Sequence, residues 1–279
     1  MKKLIKLSLV LLVVAGIAAG CSKGEAKKSD EETKTVKLGV VGDNTDVWDS
    51  VKERLKEEGI ELEFVKFSDY NQPNTALADG SIDLNSFQHQ FFLDNFNKEH
   101  GTDLVSIGNT VNAPLAIFSE KVKDVSELKD GAEIAIPNDV TNGGRALILL
   151  QSAGLIKVDE AAELTPTVSD ITENKKNLKI TELDASQTAR ALQDVDASVI
   201  NSGVAVDAGL SLQEEAIFEE PVDENSKPYV NIIVARKEDA NNETYQKIVD
   251  AYQTDETIKV IKETSKDTSF PAWETFGKK

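Results

Sequence analysis

Short apolar runs typical of β-strands alternate with amphipathic helical patterns along most of the sequence. The run Val36–Val41 predicts a strand. The stretch after it places Val47, Val51 and Leu55 at helical spacing. Residues 61–67 then alternate charged and apolar side chains, which is typical of a half-buried strand. Strands that alternate with helices pack as a sheet with helices on its faces, so the sequence predicts an α/β fold.

The alternation continues to the C-terminus. Further strands are predicted at 82–85, 104–107, 115–118, 134–136, 178–183, 197–200 and 229–235, and helices at 74–79, 91–100, 144–153, 187–195, 241–252 and 254–262. The sequence has no short-period repeat, which argues against a solenoid. The most economical arrangement is two α/β lobes with two chain crossovers, in which 36–113 and 232–279 form lobe 1 and 114–231 form lobe 2. A ligand cleft is expected between them.

The first residues have the pattern of an export signal. Lysines precede an apolar run at 7–19, and small residues stand directly before Cys21. The run is shorter than the ~20 residues of a membrane-spanning helix, so residues 1–20 are predicted to be a signal peptide. This arrangement resembles the bacterial lipobox, where the signal is cut before a cysteine that carries lipid, although Ala18 stands where most lipoboxes have Leu. An ordinary signal peptide with an incidental cysteine is the alternative.

The segment after Cys21 is strongly polar up to residue 35. It cannot bury enough apolar surface to fold, and we predict that residues 21–35 form a lipidated flexible tether. Two or three acyl chains on one cysteine would hold the protein stably at a membrane. The expected location is therefore the cell membrane, with the domain lipid-anchored on the extracytoplasmic side.

Charge and composition exclude several classes of function. The formal net charge is -18, which argues against nucleic acid as a partner. Cys21 is the single cysteine, so no intramolecular disulfide can form. The sequence has no recognised catalytic motif, and its two histidines, His89 and His100, are too far apart for a local metal motif. We predict no catalytic residue, no metal and no cofactor.

Five segments combine aromatic, amide and charged residues in an unusual order. They are Phe67–Asn74, Asp83–Leu93, Pro137–Arg145, Ser198–Asn201 and Pro228–Val234. The patterns F-S-D-Y-x-x-P-N, F-Q-H, P-N-D-x-T-N-x-G-R and P-Y-V-N resemble the methionine-binding lipoprotein family of the NlpA/MetQ type, the substrate-binding component of a methionine ABC importer. The resemblance covers nearly the whole chain. It implies a two-lobe periplasmic-binding-protein fold and an ABC importer permease as partner.

Arg145 is the predicted partner of a ligand carboxylate. We expect it in the first turn of a helix after a glycine-rich entry, where backbone N–H groups and the helix dipole also favour an anion. The planar arginine fork pairs with a carboxylate through two hydrogen bonds. Without the family context, a solvated surface arginine is the alternative.

The other predicted ligand contacts are amide and aromatic side chains. Asn201 and Asn231 end or interrupt apolar strands, where their amides either bind the ligand or serve the structure. Asn142 is expected as a helix N-cap or turn residue that also contacts ligand. Four rings are predicted to form the apolar side of the pocket: Tyr70, Phe87, His89 and Phe92. Core packing is the alternative for Phe92, where family members often carry Tyr.

The sequence thus favours a binding protein for L-methionine, with D-methionine or a short methionine peptide as alternatives. A thioether packs well against aromatic rings, and His89 is expected to donate a hydrogen bond. A different small amino acid or metabolite in the same fold is the first rival. An enzyme of the envelope and a non-transport envelope lipoprotein that binds another protein are the others.

Overall fold

The computed structural model describes residues 33–265 and 269–279. The predicted signal peptide, Cys21 and the predicted tether up to residue 32 lie outside these residues. Within the described ranges, no helix combines the length and apolar character needed to cross a membrane.

Strands and helices alternate as the sequence predicts. The strands are β1 (Lys34–Val41), β2 (Ile60–Phe67), β3 (Leu84–Asn85), β4 (Val105–Asn112), β5 (Ala116–Phe118), β6 (Glu133–Pro137), β7 (Lys157–Val158), β8 (Ile171–Glu173), β9 (Lys179–Leu183), β10 (Ala197–Ile200), β11 (Ala216–Glu219), β12 (Val230–Ala235) and β13 (Phe270–Pro271). The helices are α1 (Asp46–Lys56), α2 (Gln72–Ala78), α3 (Gln90–His100), α4 (Val140–Ser152), α5 (Thr188–Ala191), α6 (Ser202–Asp207), α7 (Leu212–Glu215), α8 (Glu243–Tyr252), α9 (Asp255–Thr264) and α10 (Ala272–Thr275).

The first sheet has the strand order β13-β4-β12-β3-β1-β2. β1 runs parallel to β2 and β3, whereas β12 runs antiparallel to β3 and β4. The apolar face of α1, with Val51 and Leu55 fully buried, packs in one core with the strands and with Ile248 of α8 and Ile261 of α9. The helical spacing that predicted α1 is thus the spacing of its buried face.

The second sheet has the order β11-β5-β10-β6-β9. β6 runs parallel to β9 and β10, and β5 runs antiparallel to β10 and β11. The apolar residues of α4, including Leu147 and Leu150, are buried against Ile134, Ile136 and Val199 of this sheet. Each sheet therefore has a hydrophobic core of its own.

The helix that carries Arg145 begins four residues earlier than predicted. α4 starts at Val140 because the side chain of Asp139 caps it, accepting a hydrogen bond from the Asn142 N–H at 2.9 Å. The two glycines lie inside the helix, where a Cβ on Gly144 would stand 2.8 Å from the Leu164 carbonyl oxygen. They permit close packing instead of forming an entry loop. Arg145 consequently lies in the second turn, and Asn142 is not the N-cap.

Other predictions differ at the ends of elements. The helix predicted at 187–195 is shorter in the structure, where it spans only α5. It ends there because the Leu192 N–H donates to the Ala189 carbonyl, three residues earlier, and the chain turns. β4 extends beyond the predicted end at residue 107 to Asn112, because the polar side chains in this part of the strand break the apolar pattern. β1 begins at Lys34, which pairs with Ile60, so the last two residues of the predicted tether belong to the sheet. The sequence did not predict β11, the β7–β8 pair or β13.

The division into lobes follows from where each strand lies. The chain leaves the first sheet after Asn112 and enters the second at Ala116. It returns between Glu219 and Val230, since Val230 already pairs with Asn112 in the first sheet. We propose the lobe boundaries predicted above with the second crossing moved to this interval.

Candidate functional site

A cavity of about 220 Å³ is lined by residues from both sheets and their following loops. All eight predicted ligand-binding residues line it: Tyr70, Phe87, His89, Phe92, Asn142, Arg145, Asn201 and Asn231. They come from segments far apart in the sequence. Whether they contact a ligand stays a prediction.

Three aromatic rings form one wall of the cavity. The Tyr70 and Phe87 centroids are 5.8 Å apart, and Phe92 meets both rings edge-on at 6.2 and 5.8 Å. Burial raises the pKa of the Tyr70 hydroxyl, and nearby carboxylates, led by Asp139, raise it further. Tyr70 therefore remains a neutral donor, and this wall offers an apolar surface with one hydroxyl.

His89 adjoins the aromatic wall as the N-cap of α3. Its Nδ1 accepts a hydrogen bond from the Phe92 N–H at 3.0 Å. Burial, together with the charge of Arg145, lowers the pKa of His89 to about 3, an effect that Asn142 partly opposes. The imidazole is therefore neutral, and its proton is assigned to Nε2 because Nδ1 accepts. Nε2 is buried and, among the described residues, has no partner of good geometry.

A cluster of buried amides holds the loop that carries Phe87 and His89. Asn74 donates to Gln88 at 2.7 Å, Asn85 donates to Asn74 at 2.9 Å, and Gln88 donates to Asn85 at 2.9 Å. All three amide side chains are buried. Because buried amides must be paired, this cluster fixes the loop between α2 and α3 in one conformation.

The Arg145 guanidinium is buried and already has a protein partner. Its Nε donates to Glu220 Oε1 at 2.8 Å, and its Nη2 donates to the other Glu220 oxygen and, at 3.1 Å, to the Ala113 carbonyl. The guanidinium carbon lies 4.2 Å from the centroid of the Tyr229 ring. Glu220 thus occupies the edge of the guanidinium formed by Nε and Nη2, and the predicted two-pronged pairing of Arg145 with a ligand carboxylate stays a prediction. Within the described residues, Nη1 alone among its nitrogens makes no hydrogen bond.

A chain of side-chain hydrogen bonds orients Asn201. The Asn142 amide nitrogen donates to both oxygens of Asp139, at 3.1 and 3.0 Å, and the Asn142 oxygen accepts from Asn201 Nδ2 at 2.8 Å. Since a carboxylate only accepts, Asp139 fixes the orientation of both amides. Asn201 Oδ1 is left as a buried acceptor with no partner in the described part of the chain.

Asn231 approaches the cavity from β12. It forms a backbone bridge with His89, and the neighbouring Ile232 N–H donates to the Gln88 carbonyl at 3.0 Å. Its side-chain amide lines the cavity and makes no hydrogen bond to any residue in 33–265 or 269–279. The amide is therefore available to a ligand as donor and acceptor.

The sequence model of the NlpA lipoprotein family matches residues 36–273. The chain belongs to the NlpA lipoprotein family. A D-methionine-binding lipoprotein, MetQ, of Salmonella typhi is 42% identical over 259 residues, which are 91% of this chain and 93% of that protein.

The fold of this NlpA-family chain is similar to that of solved substrate-binding proteins. It is 47% identical, with a TM-score of 0.81, to the substrate-binding protein of a methionine transporter from Streptococcus pneumoniae, and the match covers 86% of this chain and 96% of that one. A nutrient-binding protein from Burkholderia cenocepacia bound to methionine is 41% identical with a TM-score of 0.81, covering 85% and 99%. The predicted two-lobe α/β fold is confirmed.

Several residues of the NlpA-family site were not predicted. Glu220 accepts hydrogen bonds from Arg145, and Asp207 and Gln88 line the cavity. Acidic residues number 49 in the sequence, so neither carboxylate was distinguishable from a solvated surface residue. In the described ranges, no group of three or more His, Cys, Asp or Glu side chains is placed to hold a metal ion.

Proposed function

We propose that this protein is the substrate-binding lipoprotein of an ABC importer and that it captures methionine. The observation that carries the proposal is the pairing of two open polar atoms with an aromatic wall in one cavity. Arg145 Nη1 offers a donor for a carboxylate, and Asn201 Oδ1 offers an acceptor for an ammonium group. The names of the relatives in Salmonella typhi and Streptococcus pneumoniae support the same ligand.

The charge of the cavity supports a zwitterion over an acidic ligand. Arg145 and Glu220 neutralise each other, and His89 is neutral. Asp207 also lines the cavity. A second carboxylate on the ligand would be buried without a cationic partner, which is costly.

The apolar wall supports a thioether side chain. The cavity of about 220 Å³ is smaller than the roughly 300–1,000 Å³ of pockets for drug-sized ligands, so it suits a single amino acid. A sulfur packs favourably against aromatic edges, at about 0.3–1.5 kcal/mol. The Tyr70–Phe87–Phe92 wall offers such edges.

In the proposed mechanism methionine enters an open cleft, and Arg145 takes its carboxylate. Asn201 and Asn231 take the remaining polar contacts, and the lobes then close. Closure buries the ligand side chain and forms the surface that the permease recognises. The higher affinity of the closed state for ligand shifts the population toward it. Lipid on Cys21 keeps the protein at the extracytoplasmic face of the membrane, and the proposal requires no catalytic step.

A thermal-shift panel on ligand-stripped protein tests the proposal. We expect L-methionine to raise the melting temperature strongly, since a thousandfold excess over Kd stabilises by about 4 kcal/mol. Norleucine, which lacks the sulfur, should stabilise somewhat less, and glutamate and lysine far less. D-Methionine in the same panel gives the stereochemical preference. A larger shift with glutamate or lysine would rule out methionine as the ligand while leaving the two-lobe fold intact.

A further inference from the structure

A hydrogen-bonded contact joins the two lobes at the edge of the cavity. Asp207, the last residue of α6 in the second lobe, faces the loop Gly42–Asn44 that follows β1 in the first lobe. We propose that Asp207 is a positioning residue that clasps the lobes together around bound ligand. The proposal rests on the proposed function for the identity of that ligand, but the contact itself does not depend on it.

The clasp uses both oxygens of one carboxylate. The Asn44 N–H donates to Asp207 Oδ1 at 3.0 Å, and the Asp43 N–H donates to Oδ2 at 3.2 Å. Two neighbouring backbone donors that converge on one carboxylate form a charge-assisted pair of hydrogen bonds. All donors come from the first lobe and the acceptor from the second, so the contact exists only when the lobes are together.

Gly42 makes the close approach possible. Its φ is +88°, in the region where side chains are disfavoured, and a Cβ there would lie 2.0 Å from Asp207 Oδ2. The loop therefore carries no side chain at the point where the carboxylate sits. Gly42 thus meets two requirements at one position, a positive φ and the absence of a Cβ beside Asp207. A chance contact between the lobes would not require both.

The clasp is connected to the ligand site through a single short helix. Asn201, with its open Oδ1, is the N-cap of α6, and Asp207 is the last residue of the same helix. Both side chains line the cavity. Six residues of helix span about 9 Å, and such a segment moves as a unit. A ligand that holds Asn201 in place therefore also holds Asp207 against the Gly42–Asn44 loop.

A clasp of this kind acts on the lifetime of the closed state. Opening must break two hydrogen bonds to a carboxylate before the ligand can leave, whereas entry into the open cleft meets no such contact. Loss of the clasp should therefore raise the dissociation rate more than it changes the association rate. Folding of either lobe does not use the contact, so each lobe should stay folded in a variant that lacks it.

Stopped-flow methionine kinetics on Asp207→Asn and Asp207→Ala test the proposal. We expect dissociation to be about tenfold faster for Ala, with association within about threefold of the parent. Asn should lie between, because its amide oxygen still accepts one hydrogen bond. Asp250→Asn, an exposed residue of α8 outside the cavity lining, is the charge-matched control and should behave as the parent. Parent-like dissociation for Asp207→Ala would overturn the clasp.

A double-mutant cycle with Gly42→Ala separates the clasp from local backbone strain. In the parent, the added methyl group should speed dissociation by forcing Asp207 away. In the Asp207→Ala background the clash is gone, so the same change should add little to the dissociation rate. Additive effects on dissociation would show that Gly42 and Asp207 act independently and would overturn the clasp.

Interlobe distance measurements test the clasp without any ligand. Spin labels at Glu58→Cys and Glu214→Cys, two exposed residues on different lobes, report opening in the Cys21→Ser background. Asp207→Ala should shift the distance distribution toward the open state, and Asp250→Asn should not. An unchanged distribution would overturn the clasp even if methionine proved not to bind. Failure of the parent to bind methionine would instead overturn the proposed function alone.

Discussion

Removal of Glu220 would leave the buried Arg145 guanidinium without its carboxylate. The Arg145 side chain is 3% exposed and that of Glu220 is 16% exposed. Loss of one partner from a buried ion pair typically costs 3–5 kcal/mol. The Ala113 carbonyl and the Tyr229 ring remain in contact with the guanidinium, so we expect the lower end, about 3 kcal/mol, for Glu220→Ala.

The assay is thermal and denaturant unfolding of ligand-stripped protein. A domain of this size loses about 2–4 °C in Tm per kcal/mol, which predicts a fall of roughly 6–12 °C for Glu220→Ala. Glu53→Ala, which removes an exposed pair with Lys56, is the control and should leave Tm nearly unchanged. Saturating methionine should restore part of the loss in Glu220→Ala, because its carboxylate then faces the guanidinium. A Tm for Glu220→Ala equal to that of the control would refute the dependence of Arg145 on Glu220.

A charge-free double variant separates stability from binding. Uncharged residues of similar volume often replace a buried ion pair at no cost in stability. Arg145→Met combined with Glu220→Gln should therefore be more stable than Glu220→Ala, yet it should not bind methionine. If the double variant is as unstable as the single one, the unpaired charge is not the cause of the instability.

Three further predictions concern the pocket and the anchor. Asn231→Ala should weaken methionine binding about tenfold or more in calorimetric titration with ligand-free Tm unchanged, whereas the opposite pattern would make Asn231 structural. The pKa of His89 is about 3 in the folded state against ~6.5 unfolded, so its contribution to stability is complete above pH ~6.5 and is lost as pH falls toward 3, by at most ~1.4 kcal/mol per pH unit. Denaturant unfolding at pH 7, 5 and 4 should show a steeper loss for the parent than for His89→Gln, and equal slopes would contradict this. Cys21→Ser should move the protein from the membrane pellet to the soluble fraction, and retention of a processed variant in the pellet would reveal another anchor.

Periodic patterns predicted the helices and strands in which the apolar residues of the pattern are also the residues buried in the core. Val51 and Leu55 lie on the buried face of α1, and the apolar run of β12 lies inside the first sheet. β4 was predicted too short because buried Asn109 and Asn112 break the apolar pattern. Their amides are paired with distant carbonyls, which no local pattern encodes.

The sequence placed several predicted ligand contacts at one cavity, although contact with a ligand stays a prediction. Arg145 and Asn231 were recognised from the motifs around them, and both line the cavity. Glu220 was not recognised, since its role depends on an arginine that is distant in the sequence. The glycines before Arg145 were interpreted as a helix entry, although they serve the packing of α4 against the Leu164 carbonyl. The role of Glu220 and the role of the two glycines both depend on tertiary contacts between residues that are distant in the sequence.

The position of β12 governs the order in which the protein can fold. This strand lies between β3 and β4 in the first sheet, although it is synthesised after the whole second lobe. The N-terminal part of a nascent chain emerges first. The sheet therefore cannot become continuous between β3 and β4 until Val230–Ala235 has also emerged. The same strand carries Asn231 into the cavity. A chain from which Val230–Ala235 has not yet emerged therefore has neither a finished first lobe nor a complete cavity, so the cavity can form only after nearly the entire chain is available.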